Sequence, residues 1–186
     1  NEVRREAPAI LCTWWLGSEA GNAICNVLWG DYNPSGKLPM TFPQHNGQIP
    51  LYYQYKSTGR PTALGGWCAK YIDIPTEPAY PFGYGLSYTT FNYSDVKLLP
   101  GDGKGTYTRV AVTVTNTGKC EGEEVVQLYV RDEVASITRP IKELKGFEKI
   151  KLSPGESKMV TFDVKDEQLG FYNNQMKFIV EKGDFT

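Results

Sequence analysis

The chain has 186 residues and a formal net charge of −1, with 22% charged and 40% hydrophobic residues. This length suffices for one large domain or one and a half small ones. The near-neutral charge predicts neither a nucleic-acid footprint nor a polybasic membrane contact. No apolar run approaches the roughly 20 residues that span a bilayer, and the first six residues lack the apolar core of a signal peptide.

The N-terminal 42 residues carry mixed strand and helix patterns. Ala9–Trp15 is a continuous apolar run, which predicts a strand covered on both faces. A helix is predicted next, with Ser18 as its cap, Glu19 in its first turn and Gly30 at its end. The apolar face of this helix comprises Ala20, Ala23, Ile24, Val27 and Leu28. Residues 37–42 are predicted as another short strand. One helix and two strands cannot close an α/β domain, so we expect the remaining strands to lie outside this chain.

The middle of the chain, from Pro43 to Pro81, reads as a long loop rich in Pro, Gly and Tyr, and loops of this length are usually functional or linking. After Phe91 the pattern changes to short runs of period two separated by turn signals. These runs predict strands around Val110–Val114, Val126–Val130, Leu144–Leu152, Val160–Val164 and Met176–Val180. Strands at this spacing predict an antiparallel sandwich, and the absence of a Cys–Trp–Cys pattern favours a fibronectin-like one over a true immunoglobulin domain.

Two segments carry a specific family resemblance: Gly30–Pro43 (GDYNPSGKLPMTFP) and Pro81–Thr89 (PFGYGLSYT). Together they resemble the C-terminal third of glycoside hydrolase family 3, in particular its secreted or periplasmic β-glucosidases. The first resembles the turn after the last helix of the family's α/β domain, and the second the junction with a fibronectin type III-like domain. We therefore expect a mainly β fold: a remnant of an α/β sandwich domain in residues 1–42, a loop or linker in 43–90, and a fibronectin type III-like antiparallel sandwich in 91–186.

The resemblance implies a parent enzyme that hydrolyses terminal β-linked glucose by a retaining mechanism, without metal or organic cofactor. It implies a β-glucoside oligosaccharide as the substrate of the intact parent and a periplasmic or secreted location, and a homodimer is compatible with it. The family's nucleophile and acid/base carboxylates lie in segments that precede those matched here. We therefore expect no catalytic residue in this chain and a structural role for the fragment, which alone should be inactive.

None of the acidic residues in this chain is expected to be catalytic. Asp95 belongs to the only Ser-Asp pair, but its position departs from the family pattern. Glu19 is explained by the helix dipole, and Asp31 by a turn. Asp73 and Glu77 are expected to be solvated loop residues. The single histidine, His45, has no nucleophile elbow near it and is expected at the surface.

The best candidates for sugar contact lie in the loop that follows Gln48. This loop resembles the β-glucosidase branch of the family, and we assign substrate binding in it to Tyr52, Tyr55 and Arg60. Tyr rings can stack on pyranose faces, and Arg can donate paired hydrogen bonds to hydroxyls. The alternative is that the rings only attach the loop to the sandwich.

The four cysteines are Cys12, Cys25, Cys68 and Cys120, and no two have the spacing of a zinc or redox motif. A metal site is therefore not expected. Cys12 and Cys25 are expected to pack as small hydrophobes in core elements, whereas Cys68 and Cys120 fall in polar loops. Disulfide pairing stays open.

Two rival functions remain. A β-xylosidase or arabinosidase of the same family would differ in the sugar-binding half outside this chain. A free-standing carbohydrate- or protein-binding sandwich would require no reaction at all. At the C-terminus, residues 181–186 supply a turn and only the beginning of a strand, so we expect the neighbouring sheet edge to be left for another chain or for a longer form of this one.

Overall fold

The computed structural model describes residues 2–60 and 68–186. Three α-helices are present in these ranges: α1 (Glu2–Glu6), α2 (Ala20–Trp29) and α3 (Asp166–Leu169). Within the same ranges, a 3-10 turn occupies Asn46–Gln48. No helix among the described residues is long and apolar enough to cross a membrane.

The described residues form seven strands: β1 Phe91–Pro100, β2 Thr106–Asn116, β3 Gly122–Val130, β4 Glu143–Leu152, β5 Ser157–Lys165, β6 Phe171–Tyr172 and β7 Phe178–Ile179. All strand pairs are antiparallel. One sheet has the order β1-β2-β5, a second pairs β3 with β4, and a short ribbon pairs β6 with β7. The predicted mainly β sandwich fold is confirmed.

The core lies between the two larger sheets. Its buried members come from four strands, β2 to β5. Within each strand, alternate residues point to the same face, and the inward face supplies the core. They are Val112, Val114, Val126, Ile150, Leu152 and Val160, with Phe91 and Phe162 packed against them. The period-two pattern therefore predicted these inward positions correctly.

A buried asparagine closes one end of the core. Asn116 is fully buried, and its side chain accepts from Thr89 Oγ1 at 2.6 Å and from Gly118 N at 3.0 Å. Its Nδ2 donates to the carbonyls of Cys120 and Leu152, both at 2.9 Å. One polar side chain thus satisfies four groups around the turn after β2, which offsets the cost of burying an amide.

The two strands predicted in the N-terminal segment do not form. The apolar run Ala9–Trp15 forms no strand, and most of its side chains are exposed. Residues 37–42 form no strand either, apart from a single bridge between Phe42 and Tyr80. A strand requires a hydrogen-bonded neighbour, and none of the described residues supplies one for Ala9–Trp15.

Helix α2 is present as predicted, but the structure differs from the prediction in the residue at its N-cap and in the burial of its apolar face. Glu19 rather than Ser18 occupies the N-cap position, and no side chain caps the helix. Gly30 ends the helix with φ 85°, a left-handed conformation that glycine adopts without steric cost. No residue of α2 is buried. The predicted apolar face is thus only half-covered at Ala20, Ile24 and Val27.

The cysteine expectation was wrong in part. Cys12 and Cys25 are exposed rather than packed, because the run and the helix that carry them have no covering layer within the described residues. Cys68 is half-buried, Cys120 is exposed, and all four are free thiols.

Two strands of the sandwich depart from the sequence pattern. β1 was not predicted as a strand, because a bulge between Ser94 and Lys97 interrupts its alternation and Asp95 adopts φ 54° there. The last predicted strand is reduced to Phe178–Ile179, since Met176 lies in a turn with φ 58°.

The C-terminal residues lie beside the end of β3. Arg131 N donates to Thr186 O at 2.6 Å, Thr186 N donates to Arg131 O at 2.9 Å, and Asp132 bridges Phe185. β3 itself pairs with β4 alone among the described strands. The expectation that another strand fits this edge stays a prediction.

Candidate functional site

The loop of residues 52–60, called here the aromatic loop, is fixed to the sandwich by Tyr53. The Tyr53 ring stacks on Phe82 with centroids 4.2 Å apart and meets Tyr129 edge-on at 6.1 Å. Its hydroxyl accepts a hydrogen bond from Leu144 N at 3.3 Å. Tyr53 therefore attaches the loop to the sandwich, the role that the sequence leaves open as the alternative to sugar contact.

The predicted sugar-binding side chains lie on the same loop but face outward. Tyr52 is 65% exposed and Tyr55 is 52% exposed, and Arg60 is also exposed. Within the described ranges, no ring contact or hydrogen bond joins the side chains of these three residues to one another. The structure thus places them on one loop without assembling them into a closed site.

The backbone of the aromatic loop is held at its middle and at its last residue. Ile141 N donates to Tyr55 O at 3.0 Å, and Lys56 bridges Pro140. Ala69 N donates to Arg60 O at 2.9 Å. The contacts of Tyr55 and Lys56 tie the loop to the β3–β4 connection, whereas Arg60 is bonded to Ala69.

The two family motifs pack against each other at the junction between the N-terminal segment and the sandwich. Leu38 N donates to Tyr84 O and Gly83 N donates to Leu38 O, both at 2.8 Å. Lys37 Nζ donates to Gly85 O at 3.0 Å. A Cβ on Gly85 would lie 2.2 Å from Gly36 O, so only glycine fits there. The motifs are therefore contact surfaces for each other.

The same junction is anchored on two adjacent glutamates of β3. Glu124 pairs with Lys37 Nζ at 3.0 Å, and both side chains are largely buried. Glu123 accepts hydrogen bonds from Tyr32 and Ser35, both at 3.1 Å, and pairs with Lys149 at 2.6 Å. Because successive strand residues point to opposite faces, the two glutamates engage different groups.

Electrostatic effects at the junction follow these contacts. The hydrogen bond from Lys149 holds the pKa of Glu123 below its usual range, with smaller contributions from Tyr32 and Ser35. The pKa of Lys149 is raised by the same pair. Burial, and then the hydrogen bond to Glu124, raises the pKa of Tyr93. These groups are engaged in structural bonds, so their shifts report the junction and not a catalytic centre.

The side chains of Glu19 and Asp95 take part in local hydrogen bonds. Glu19 accepts from Asn22 Nδ2 at 2.6 Å at the start of α2. Asp95 lies in the bulge of β1, where Ser94 Oγ donates to it at 3.4 Å. His45 is exposed, and its Nδ1 accepts from Gly47 N at 3.1 Å. In the part of the chain that the structure describes, no three potential metal ligands are grouped together.

Sequence reasoning missed Tyr53, Glu123 and Glu124 as the residues that hold the loop and the junction. All three reach partners tens of residues away along the chain, such as Phe82 for Tyr53 and Ser35 for Glu123. A local pattern carries no signal for such pairs. Glu123 and Glu124 also lie just before the strand predicted at Val126–Val130, and only the structure extends that strand back to Gly122.

Family models match both parts of the chain. The model described as glycosyl hydrolase family 3 C-terminal domain matches residues 1–88. The model described as fibronectin type III-like domain matches residues 124–186. The order of the two matches is that expected from the motifs.

Known proteins are similar over nearly the whole chain. A periplasmic β-glucosidase of Salmonella typhimurium is 54% identical over 98% of the chain, which spans 24% of that protein. A β-xylosidase of Formosa agariphila is 47% identical over 100% of the chain, which spans 25% of that protein. The chain thus spans about a quarter of the length of the curated relatives that it matches.

Solved structures agree with this similarity. A β-glucosidase of Listeria innocua in complex with glucose superposes with a TM-score of 0.86 at 45% identity, covering 92% of this chain and 24% of the other. A D270A mutant of that enzyme in complex with laminaribiose gives a TM-score of 0.82. The chain belongs to glycoside hydrolase family 3 and corresponds to the C-terminal portion of its members.

Proposed function

We propose that the chain is the C-terminal part of a retaining β-glucosidase that hydrolyses terminal β-linked glucose, and that it serves as a brace and not as the catalytic unit. The observation that carries this proposal is the 54% identity to a β-glucosidase along almost the whole chain. The parent's two catalytic carboxyl groups, which a retaining enzyme holds about 5 Å apart, then belong to other segments.

The exposed apolar surface of the N-terminal segment supports a bracing role. Trp15 is 96% exposed, Trp29 is 77% exposed and Leu28 is 59% exposed. Apolar patches of this kind usually mark an interaction site. The proposed occupant is the preceding part of the parent's α/β domain, whose strands would also pair with Ala9–Trp15. The division into residues 1–42, 43–90 and 91–186 is part of this proposal.

A chimera tests the assignment. The segment of the Salmonella enzyme that aligns with this chain is replaced by the chain, and release of an aryl leaving group from an aryl β-glucoside is measured. We expect an active chimera and an inactive isolated chain, because the catalytic carboxylates come from the other part. Turnover by the isolated chain that disappears in Glu19→Gln or Asp31→Asn would contradict the proposal.

A pair of helix variants tests the docking surface in the same chimera. Leu28→Lys places a charge on the apolar surface and should strongly reduce the yield of active enzyme, while the isolated chain stays folded. Asn22→Lys is the control on the same helix, beside Glu19, and should leave the chimera active. Equal activity of the two variants would show that this surface does not dock the catalytic part.

The aromatic loop is proposed to contact the sugar through Tyr52, Tyr55 and Arg60. Tyr52→Ala or Tyr55→Ala in the chimera should raise KM about three- to tenfold, which corresponds to the loss of one aromatic contact. Tyr71→Ala, at another exposed tyrosine, is the control. An unchanged KM in both loop variants would leave the loop with only its attachment role.

A β-xylosidase is the second candidate, because the Formosa relative is 47% identical. The discriminating measurement is made on the intact parent enzyme, with aryl β-glucoside and aryl β-xyloside compared by kcat/KM. A periplasmic or secreted location is proposed from the Salmonella relative, which is named as periplasmic. The homodimer stays a prediction.

A further inference from the structure

The connection between β3 and β4, residues 131–142, is a long loop that the rest of the molecule holds in place. Ser136 N donates to Glu181 Oε2 at 2.8 Å, and Ile141 N donates to Tyr55 O at 3.0 Å. At its start, Asp132 bridges Phe185. A loop fixed at three points has already lost much of its conformational freedom, so a ligand would not have to order it.

This loop lines an open cleft with a volume of about 560 Å³. The cleft is lined by residues 131–141, by Ser57 of the aromatic loop and by Asn174. Its volume lies within the roughly 300–1,000 Å³ of clefts that hold small molecules. It shares only Ser57 with the aromatic loop, so it is a different place from the sugar contact proposed above.

Arg139 is one of the polar residues that line the cleft. Its side chain is 8% exposed, its Nη2 donates to Glu143 at 2.7 Å, and its guanidinium lies 4.6 Å from the centroid of Phe171. Its Nη1 is buried and has no hydrogen-bond partner. A buried donor without an acceptor is unfavourable, so an acceptor oxygen delivered to this wall would be stabilised there.

The charge of the lining indicates which acceptor fits. Arg131 is paired with Glu133 at 3.1 Å and Arg139 with Glu143 at 2.7 Å, and the carboxylate of Asp132 also belongs to the lining. An anion would therefore gain no net attraction. The remaining polar lining consists of hydroxyl and amide side chains, namely Ser57, Ser136, Thr138 and Asn174. Such groups both donate and accept hydrogen bonds.

We propose that this cleft is a second saccharide site, which binds a neutral, hydroxyl-rich sugar through Thr138 and the guanidinium of Arg139. The apolar members Val134, Ile137 and Pro140 face the C–H surface of the ring. The site binds without reacting, and it would hold an oligosaccharide on the sandwich. It does not depend on the parent being a β-glucosidase.

The test is a titration of the 186-residue chain with cellobiose, followed by backbone NMR. We expect shifts concentrated at residues 131–141. Thr138→Val should raise the dissociation constant about two- to tenfold, the worth of one hydrogen bond. Arg139→Lys, which keeps the charge beside Glu143, should weaken binding in the same way. Thr161→Val on β5 is the matched control and should change nothing.

Two further titrations, one with a loop variant and one with phosphate, separate this site from the alternatives. Tyr52→Ala should leave the shifts at residues 131–141 intact, whereas their loss would place the sugar on the aromatic loop and overturn the proposal. Inorganic phosphate should produce no saturable shifts there, and tight phosphate binding would reveal an anion site instead. Cellobiose binding that is insensitive to Thr138→Val and Arg139→Lys would also refute it. An inactive chimera would refute the β-glucosidase assignment and leave this result standing.

Discussion

The N-terminal segment and the sandwich differ in how much of their apolar surface is buried within the chain. Every hydrophobic side chain that is buried in the described ranges belongs to residues 111–171, and helix α2 buries none of its own. Yet both parts were predicted from equally clear patterns. The difference is that the strands of the sandwich find their partners within the chain, whereas the apolar run and the helix do not.

The comparison shows that a local pattern specifies an element but not its stability. Helix α2 forms over Ala20–Trp29 and ends at Gly30 without a covering sheet. Isolated helices of this length are marginal in water, and their stability normally comes from packing of the apolar face. The contact with the junction, where the Tyr88 hydroxyl donates to Val27 O at 2.7 Å, is the attachment that the fold provides.

The largest expected difference between the two regions is in hydrogen exchange. Amides of residues 9–42 should exchange at least about a hundredfold faster than those of residues 107–164, because protection ranges from local opening to the global free energy of unfolding. Exchange measured by mass spectrometry on the monomeric chain checks this. Equal protection in a demonstrated monomer would show that the N-terminal segment has a core of its own.

A matched pair of leucine substitutions compares the regions energetically. Leu152 is fully buried in the sandwich core, so Leu152→Ala should lower the free energy of unfolding by about 2–5 kcal/mol. Leu28 is 59% exposed, and Leu28→Ala should change the free energy by no more than about 0.5 kcal/mol. Urea denaturation measures both. A loss at Leu28 as large as that at Leu152 would mean that α2 packs within this chain.

The junction that couples the regions can be disrupted at one glycine. A Cβ at Gly85 would meet the backbone oxygen of Gly36, so Gly85→Ala should lower the free energy of unfolding by about 1–3 kcal/mol and speed exchange in residues 31–42. At Gly17 a Cβ meets nothing within 4 Å, so Gly17→Ala serves as the control. No effect at Gly85 would indicate that the two motifs can separate freely.

The smallest expected effect is the pH dependence carried by Glu123. Its folded-state pKa is lowered by Lys149, so the stabilisation is present above the unfolded pKa of about 4.3 and is lost as pH falls through the folded pKa. Denaturation between pH 6 and pH 3 should therefore show a shallower decline in Glu123→Gln than in the wild type.

A second substitution separates the pair from other carboxylates. Lys149→Gln removes the main cause of the pKa shift and should flatten the decline in a similar way. Identical pH profiles in the wild type and both variants would show that this pair contributes nothing to the acid sensitivity of the junction.

The sequence alone determined those features that depend on near neighbours. The alternation in β2 and β5 sets their inward residues, the helical spacing and Gly30 set α2, and the two motifs identified the family. These follow from side-chain periodicity and backbone conformational preference, which act over a few residues.

Tertiary structure decided what depends on distant partners. Tyr53 faces inward while Tyr52 and Tyr55 face out. The Tyr53 ring packs against Phe82 and Tyr129, and its hydroxyl accepts a hydrogen bond from Leu144 N. The bulge in β1, the exposure of Cys12 and Cys25, and the cleft beside Arg139 likewise arise only when segments far apart in the chain meet or fail to meet. Burial and hydrogen bonding between such segments are collective properties of the fold, and no local pattern encodes them.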